Sequence, residues 1–123
     1  MQPIFTPNAP EAIGPYSQAI VHNGLVYTSG QIALNAQGVM SEGDIEAQTK
    51  QVFMNLKAIL EQAGSSLQKV IKTSVFLSDM EHFNAMNAVY AEYFGNHKPA
   101  RSTIAVKTLP KNALVEIECI AAI

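Results

Sequence analysis

The sequence predicts an α+β fold: a mixed β-sheet with two amphipathic helices on one face. Three observations predict it. Asn23-Gly24 interrupts two short apolar runs, two segments carry a three-to-four-residue apolar period, and three β-branched runs lie between and after them. The 123 residues suit a single domain, 1–123, large enough to bury a real core.

The elements follow in order. Residues 1–15 hold Pro3, Pro7, Pro10, Pro15 and Gly14, so they read as irregular. Asn-Gly supplies positive φ at both turn positions, which predicts a two-residue hairpin joining Ala19–His22 to Leu25–Ser29. Residues 33–43 read as a polar loop with Gly38 and Gly43. In "DIEAQTKQVFMNLKAILEQAG", Ile45, Val52, Phe53, Leu56, Ile59, Leu60 and Ala63 form a helical stripe, with Asp44 as N-cap and Gly64 past the C-terminus. "VIKTSVFL", 70–77, is a strand. "SDMEHFNAMNAVYAEYFG" is a second helix, with capping-box spacing from Ser78 to Glu81 and a stripe of Met80, Phe83, Met86, Val89, Tyr90 and Phe94. Two strands close the chain, Arg101–Lys107 and Leu114–Ala121, separated by a Pro110 loop. The order is β-β-(β)-α-β-α-β-β, the bracketed strand falling between the hairpin and the first helix. Helices on one face leave the other bare. Charged residues are only 15% of the chain, so both features point to an oligomer with its sheets packed inward.

Composition excludes several classes. The net charge is −2 and no basic run occurs, which argues against nucleic-acid binding. One cysteine, Cys119, permits no intrachain disulfide and reads as a small core residue. The first lysine or arginine is Lys50 and no apolar run reaches membrane-spanning length, so cytoplasmic residence is the expectation. His22, His82 and His97 lack metal-ligand spacing and read as surface residues.

Arg101 is the one arginine in the chain, two residues after Pro99. Alternation puts Arg101, Thr103, Ala105 and Lys107 on one side of their strand, with Ser102, Ile104 and Val106 opposite as the core side. In the last strand Glu116 and Glu118 share a face, opposite Val115, Ile117 and Cys119. Taken as neighbours, the two strands present polar groups together. A guanidinium fork binds a carboxylate through two parallel bonds, and a nearby glutamate pairs with it or holds a water. The plain alternative is a surface ion pair, which a lone Arg beside a Glu more often is.

Four blocks carry a resemblance: "AIGPYSQAI" (12–20), "YTSGQI" (27–32), "DIEAQTKQVFMNLKAIL" (44–60) and "HKPARSTIAVKTLPKNALVEIECIA" (97–121). Together, in this order and spacing, they resemble the Rid (RidA/YjgF) family of reactive-intermediate deaminases, nearly end to end. The resemblance implies a chorismate-mutase-like fold and a homotrimer with sites in the clefts between subunits. It implies hydrolysis of 2-aminoacrylate-derived enamines and imines to 2-keto acids and ammonia, without metal or organic cofactor. On it, Arg101 grips the substrate carboxylate and Glu116 holds the attacking water. Tyr16 and Ser29 line the cleft, Gly30 allows close backbone approach to the ligand, and Asn87 is a polar helix residue beside it. Thr103 lines the same site but departs from the family, which usually has cysteine there. Two other functions stand beside deamination: a non-catalytic 2-keto acid-binding module, and a ribonuclease or translation inhibitor. The latter finds no paired histidines, basic stripe or aromatic platform in the sequence.

Overall fold

The computed structural model describes residues 1–123. Six strands and two long helices occur: β1 (Gln2–Ile4), β2 (Ala19–His22), β3 (Leu25–Thr28), α1 (Ile45–Gln62), β4 (Val70–Leu77), α2 (Phe83–Phe94), β5 (Ala100–Ala105) and β6 (Val115–Ala122). One sheet runs β1-β2-β3-β6-β4-β5. All neighbours are antiparallel except β4 and β5, whose parallel pairing is made through the α2 crossover.

The predicted hairpin forms as its residues demand. Asn23 has φ 50 and Gly24 φ 77, and Ala19↔Thr28 through His22↔Leu25 pair across it. Asp44 caps α1 by accepting from the Ala47 amide at 3.0 Å. Gly64, at φ 84, ends α1: its amide donates to Glu61, and Ser65 donates to Leu60. The core lies between the helices and one sheet face. Val52, Phe53, Leu56, Ile59 and Leu60 of α1 and Met86, Val89 and Phe94 of α2 pack on Val26, Val75, Leu77, Val115, Ile117, Cys119 and Ala121. Cys119 is a core residue, and burial pushes its thiol up to about 11.

Several expectations are corrected. No named strand forms between the hairpin and α1; the third strand ahead of α1 is β1, in the N-terminal segment expected to be irregular. Pro3 is tolerated because β1 is an edge strand with one neighbour. The following loop, Thr6–Pro10, is anchored by the buried Gln18 side chain. Its Oε1 accepts from the Thr6 amide at 2.7 Å, and its Nε2 donates to the carbonyls of Thr6 (3.1 Å) and Pro10 (2.9 Å). The 33–43 loop is less polar than its composition suggests. Ala33 and Leu34 are buried, and Asn55 of α1 donates to the carbonyls of Ile32 and Leu34. Asp79, not Ser78, caps the segment before α2 by accepting from the Glu81 amide at 2.8 Å. The first turn is 3-10, which leaves Met80 outside the apolar stripe and 47% exposed. His97 is not a surface residue: its Nε2 donates to the Val70 carbonyl at 2.6 Å and its ring meets Phe94 edge-on. His82 is half-buried where the 3-10 turn joins α2.

The largest correction concerns β5. β4 lies between β5 and β6, so the last two strands are not neighbours. Arg101 sits opposite Thr73, a buried residue on the helix side, and Phe76 sits opposite both Ile104 and Glu116. Positions 73 and 76 of β4 point to opposite faces. The Arg101 and Thr103 side therefore faces the helices. Ile104, assigned above to the core side, stands 51% exposed on the bare face with Glu116.

Candidate functional site: two clefts on opposite faces

Arg101 leaves β5 toward α2. Its Nη1 donates to Asn87 Oδ1 at 2.7 Å. Its guanidinium carbon lies 4.7 Å from the Tyr90 ring centroid and 5.5 Å from that of Phe83. The group that takes Arg101 is an amide rather than a carboxylate, which removes the surface ion-pair reading. An amide oxygen and two π faces hold a cation without neutralising it. The cleft here, about 480 Å³, is bounded by Asn87, Tyr90, His97, Lys98, Pro99 and Arg101.

Glu116 belongs to a second cleft, of about 220 Å³, with Tyr16, Ser29, Gly30, Ile32 and Lys111. Its architecture follows from one short pairing. The Gln31 and Ile117 amides each donate to the other's carbonyl, at 2.9 and 3.1 Å, and this lays Gly30 against Glu116. A Cβ on Gly30 would collide with Glu116 Oε2 and lie 2.9 Å from its Cδ. Gly30, expected to allow close approach to a ligand, lies in this chain against the Glu116 side chain. Ser29 donates its hydroxyl to the Ser17 carbonyl at 2.6 Å, and its amide donates to the Gln18 carbonyl. Ser29 thus fixes the loop that carries Tyr16, and its oxygen keeps acceptor capacity. Tyr16 is half-exposed at the mouth. Burial, and secondarily the neighbouring charge of Glu118, raise the Glu116 carboxyl above the ordinary glutamate value.

The predicted residues thus separate into two groups. Tyr16, Ser29, Gly30 and Glu116 come together, and Asn87 comes together with Arg101. Within one chain the two groups do not meet. Thr103 lines neither cleft; its Oγ1 is buried and has no hydrogen-bond partner. The sequence reading missed Tyr90 and Phe83 as Arg101 contacts. Their spacing from Asn87, at 83, 87 and 90 on one helical stripe, was the available signal. It also missed Lys111, whose positive φ of 54 lies in the loop at the Glu116 cleft. No group of three or more histidine, cysteine or carboxylate side chains is placed to hold a metal ion.

Fold and clefts define a class: a mixed-sheet α+β protein with a held, unneutralised guanidinium and a carboxylate of raised affinity for its proton. The chain belongs to the Rid (YjgF/RutC) family, since the family model described as Endoribonuclease L-PSP matches residues 6–123. A RutC family protein of Pyrococcus horikoshii is 56% identical over 96% of this chain and 94% of its own. The mitochondrial protein mmf1 of Schizosaccharomyces pombe is 49% identical over 97% of this chain and 74% of its own. Among solved structures, RidA from an Antarctic Psychrobacter has a TM-score of 0.96 at 43% identity, covering 100% of both chains. E. coli TdcF with bound serine has a TM-score of 0.95 at 39% identity, covering 100% of this chain and 99% of that one. No helix of the protein is long and apolar enough to cross a membrane.

Proposed function

We propose that the protein is a 2-iminobutanoate/2-iminopropanoate deaminase, a hydrolase acting on C–N bonds, with its site shared between neighbouring copies of a homotrimer. The observation that carries this reading is the separation of Arg101 and Glu116 onto opposite sheet faces. Each cleft holds half of what imine hydrolysis needs, and a second copy docked on the bare face supplies the other half. The substrate carboxylate meets Arg101 bidentately, with Asn87 fixing the fork. An enamine first gains a proton at C3 and loses one from nitrogen to become the imine. Glu116 takes a proton from water while the water oxygen bonds to C2. Glu116 returns that proton to the nitrogen to give the carbinolamine, then carries the hydroxyl proton to the nitrogen as the C–N bond breaks, so ammonia leaves and C2–O becomes the carbonyl of the 2-keto acid. A carboxylate of raised proton affinity suits that exchange. Tyr16 and Ser29 line the approach. The whole chain, 1–123, acts as one domain in the cytoplasm, removing reactive imines before they damage other enzymes.

The test uses 2-aminoacrylate generated from serine by a dehydratase, with pyruvate release as readout. Wild type accelerates release, and Arg101→Ala and Glu116→Ala each lose it. Co-expressing the two variants restores about a quarter of the wild-type rate, because random pairing rebuilds that share of clefts. No acceleration by wild type overturns the activity, and no restoration overturns the shared site.

A relative that binds serine favours one second reading, a non-catalytic binding module for small carboxylates. Arg101 serves it equally well, and Glu116→Ala would then bind pyruvate as wild type does. The ribonuclease description of the family finds less support here. His97 is the one histidine beside either cleft, and its Nε2 is committed to the Val70 carbonyl.

A further inference from the structure

Arg101 is received by one stripe of α2. Phe83, Asn87 and Tyr90 stand at i, i+4 and i+7, so all three face the strand. Asn87 takes one nitrogen of the fork, and Tyr90 lies closer to the guanidinium carbon than Phe83 does, 4.7 Å against 5.5 Å. The Tyr90 ring is itself fixed. Its hydroxyl lies 2.8 Å from Thr73 Oγ1, and Thr73 is the fully buried residue opposite Arg101 in the β4–β5 register. Its ring meets Phe53 edge-on at 5.6 Å and Phe94 at 4.7 Å. Contacts therefore close a circuit: Arg101 to its cross-strand neighbour Thr73, Thr73 to the Tyr90 hydroxyl, and the Tyr90 ring back to Arg101.

A long, flexible arginine held by one hydrogen bond would still swing about that bond. A ring with its centroid 4.7 Å from the guanidinium carbon restricts that swing and leaves the other nitrogens of the fork unused. Burial raises the Tyr90 phenol, so the ring is neutral and attracts the cation through its π face rather than as a phenolate that would neutralise it.

We infer that Tyr90 is a positioning residue: its ring, locked by the Thr73 hydroxyl, holds Arg101 in the orientation that receives the substrate carboxylate. The role in catalysis rests on the deaminase reading above. The hold on Arg101 does not, and the two are measured separately.

Because Arg101 is the one arginine in the chain, its Nε–Hε group gives a single NMR signal of that class. Tyr90→Leu is expected to move that signal, through loss of the ring above it. It is also expected to raise KM for the imine and the dissociation constant for pyruvate about tenfold, with kcat within about threefold of wild type. In an Arg101→Ala background the same substitution adds no further weakening of pyruvate binding. An unmoved signal overturns the hold. A fall in kcat at constant KM, or an equal loss in the Arg101→Ala background, overturns the positioning role. If wild type fails to hydrolyse imines, the function falls while the NMR signal still decides the hold. Should Tyr90→Leu not fold, Tyr90→Phe and Thr73→Val decide. Each removes one half of the hydroxyl pair, so each raises KM about threefold and the double variant no more than either. Additive effects of the two overturn the circuit.

Discussion

Replacing Gly30 by alanine separates activity from stability. The added Cβ lies 2.9 Å from Glu116 Cδ, 3.1 Å from Cγ and closest of all to Oε2. Ordinary contact begins at 3.4 Å, so the carboxyl carbon must retreat by about 0.5 Å and the oxygen by more. The clashing atoms are the far end of a side chain in a cleft open to solvent, so the fold absorbs the change by turning Glu116 aside. Gly30 is absent from the positive-φ glycines, so its backbone accepts alanine without strain. Melting temperature should therefore stay within about 4 °C of wild type, equivalent to about 1 kcal/mol. Activity should fall about 10- to 100-fold, since a misplacement approaching 1 Å costs about that much in a positioned reaction. The loss should appear in kcat, because Arg101, the proposed carboxylate ligand, is untouched. The assay is the coupled pyruvate release described above, with melting followed by circular dichroism. Wild-type kcat in a well-folded Gly30→Ala protein would refute the reasoning, because Glu116 would then have no position to lose.

Two further outcomes follow from the same geometry. If Glu116 must be ionised to accept the water proton, kcat falls as pH drops through its raised value, so the acid limb lies above the ordinary glutamate range; Glu118→Gln moves that limb toward acid but leaves it raised, because burial is the larger cause. A limb unmoved by Glu118→Gln would separate the two carboxylates electrostatically. Gln18→Ala strips the buried Thr6 amide and the Thr6 and Pro10 carbonyls of their partner, costing about 2–3 kcal/mol. Calorimetry should show melting lowered by about 10 °C, and an unchanged melting temperature would mean the 6–10 loop contributes nothing to the fold.

Much of the fold was legible because local signals and tertiary structure agree. Asn23-Gly24, Asp44 and Gly64 act within a few residues of themselves, and the α1 stripe lands on the core. What was illegible depends on partners distant in sequence. β1 is three residues containing a proline, recognisable only once β2 lies beside it. The 33–43 loop is ordered by an amide of α1 more than ten residues further on. A bulge at Ile71 resets the alternation of β4, which a periodic reading of "VIKTSVFL" does not reveal.

The site shows the same division more sharply. Residue type and motif single out Arg101 and Glu116, and each lines a cleft. Their relation does not follow from chain order, because chain order is not sheet order. A parallel strand reached through a helical crossover joins the sheet beside the strand that precedes the crossover, so β5 falls outside β4 while β6 inserts between β4 and β3. With β4 interposed, both the register and the side-chain parity of β5 are set by Thr73 and not by any residue of β6. Thr73 faces the helices, so Arg101 must, and Glu116 on the other face cannot reach it. Two groups suited to one reaction but held apart by a sheet imply either two unrelated roles or a second chain. The bare face favours the second chain: Tyr27, Ile104 and the half-buried Phe76 and Ile120 lie there beside Glu116, an apolar surface that a neighbouring copy would cover.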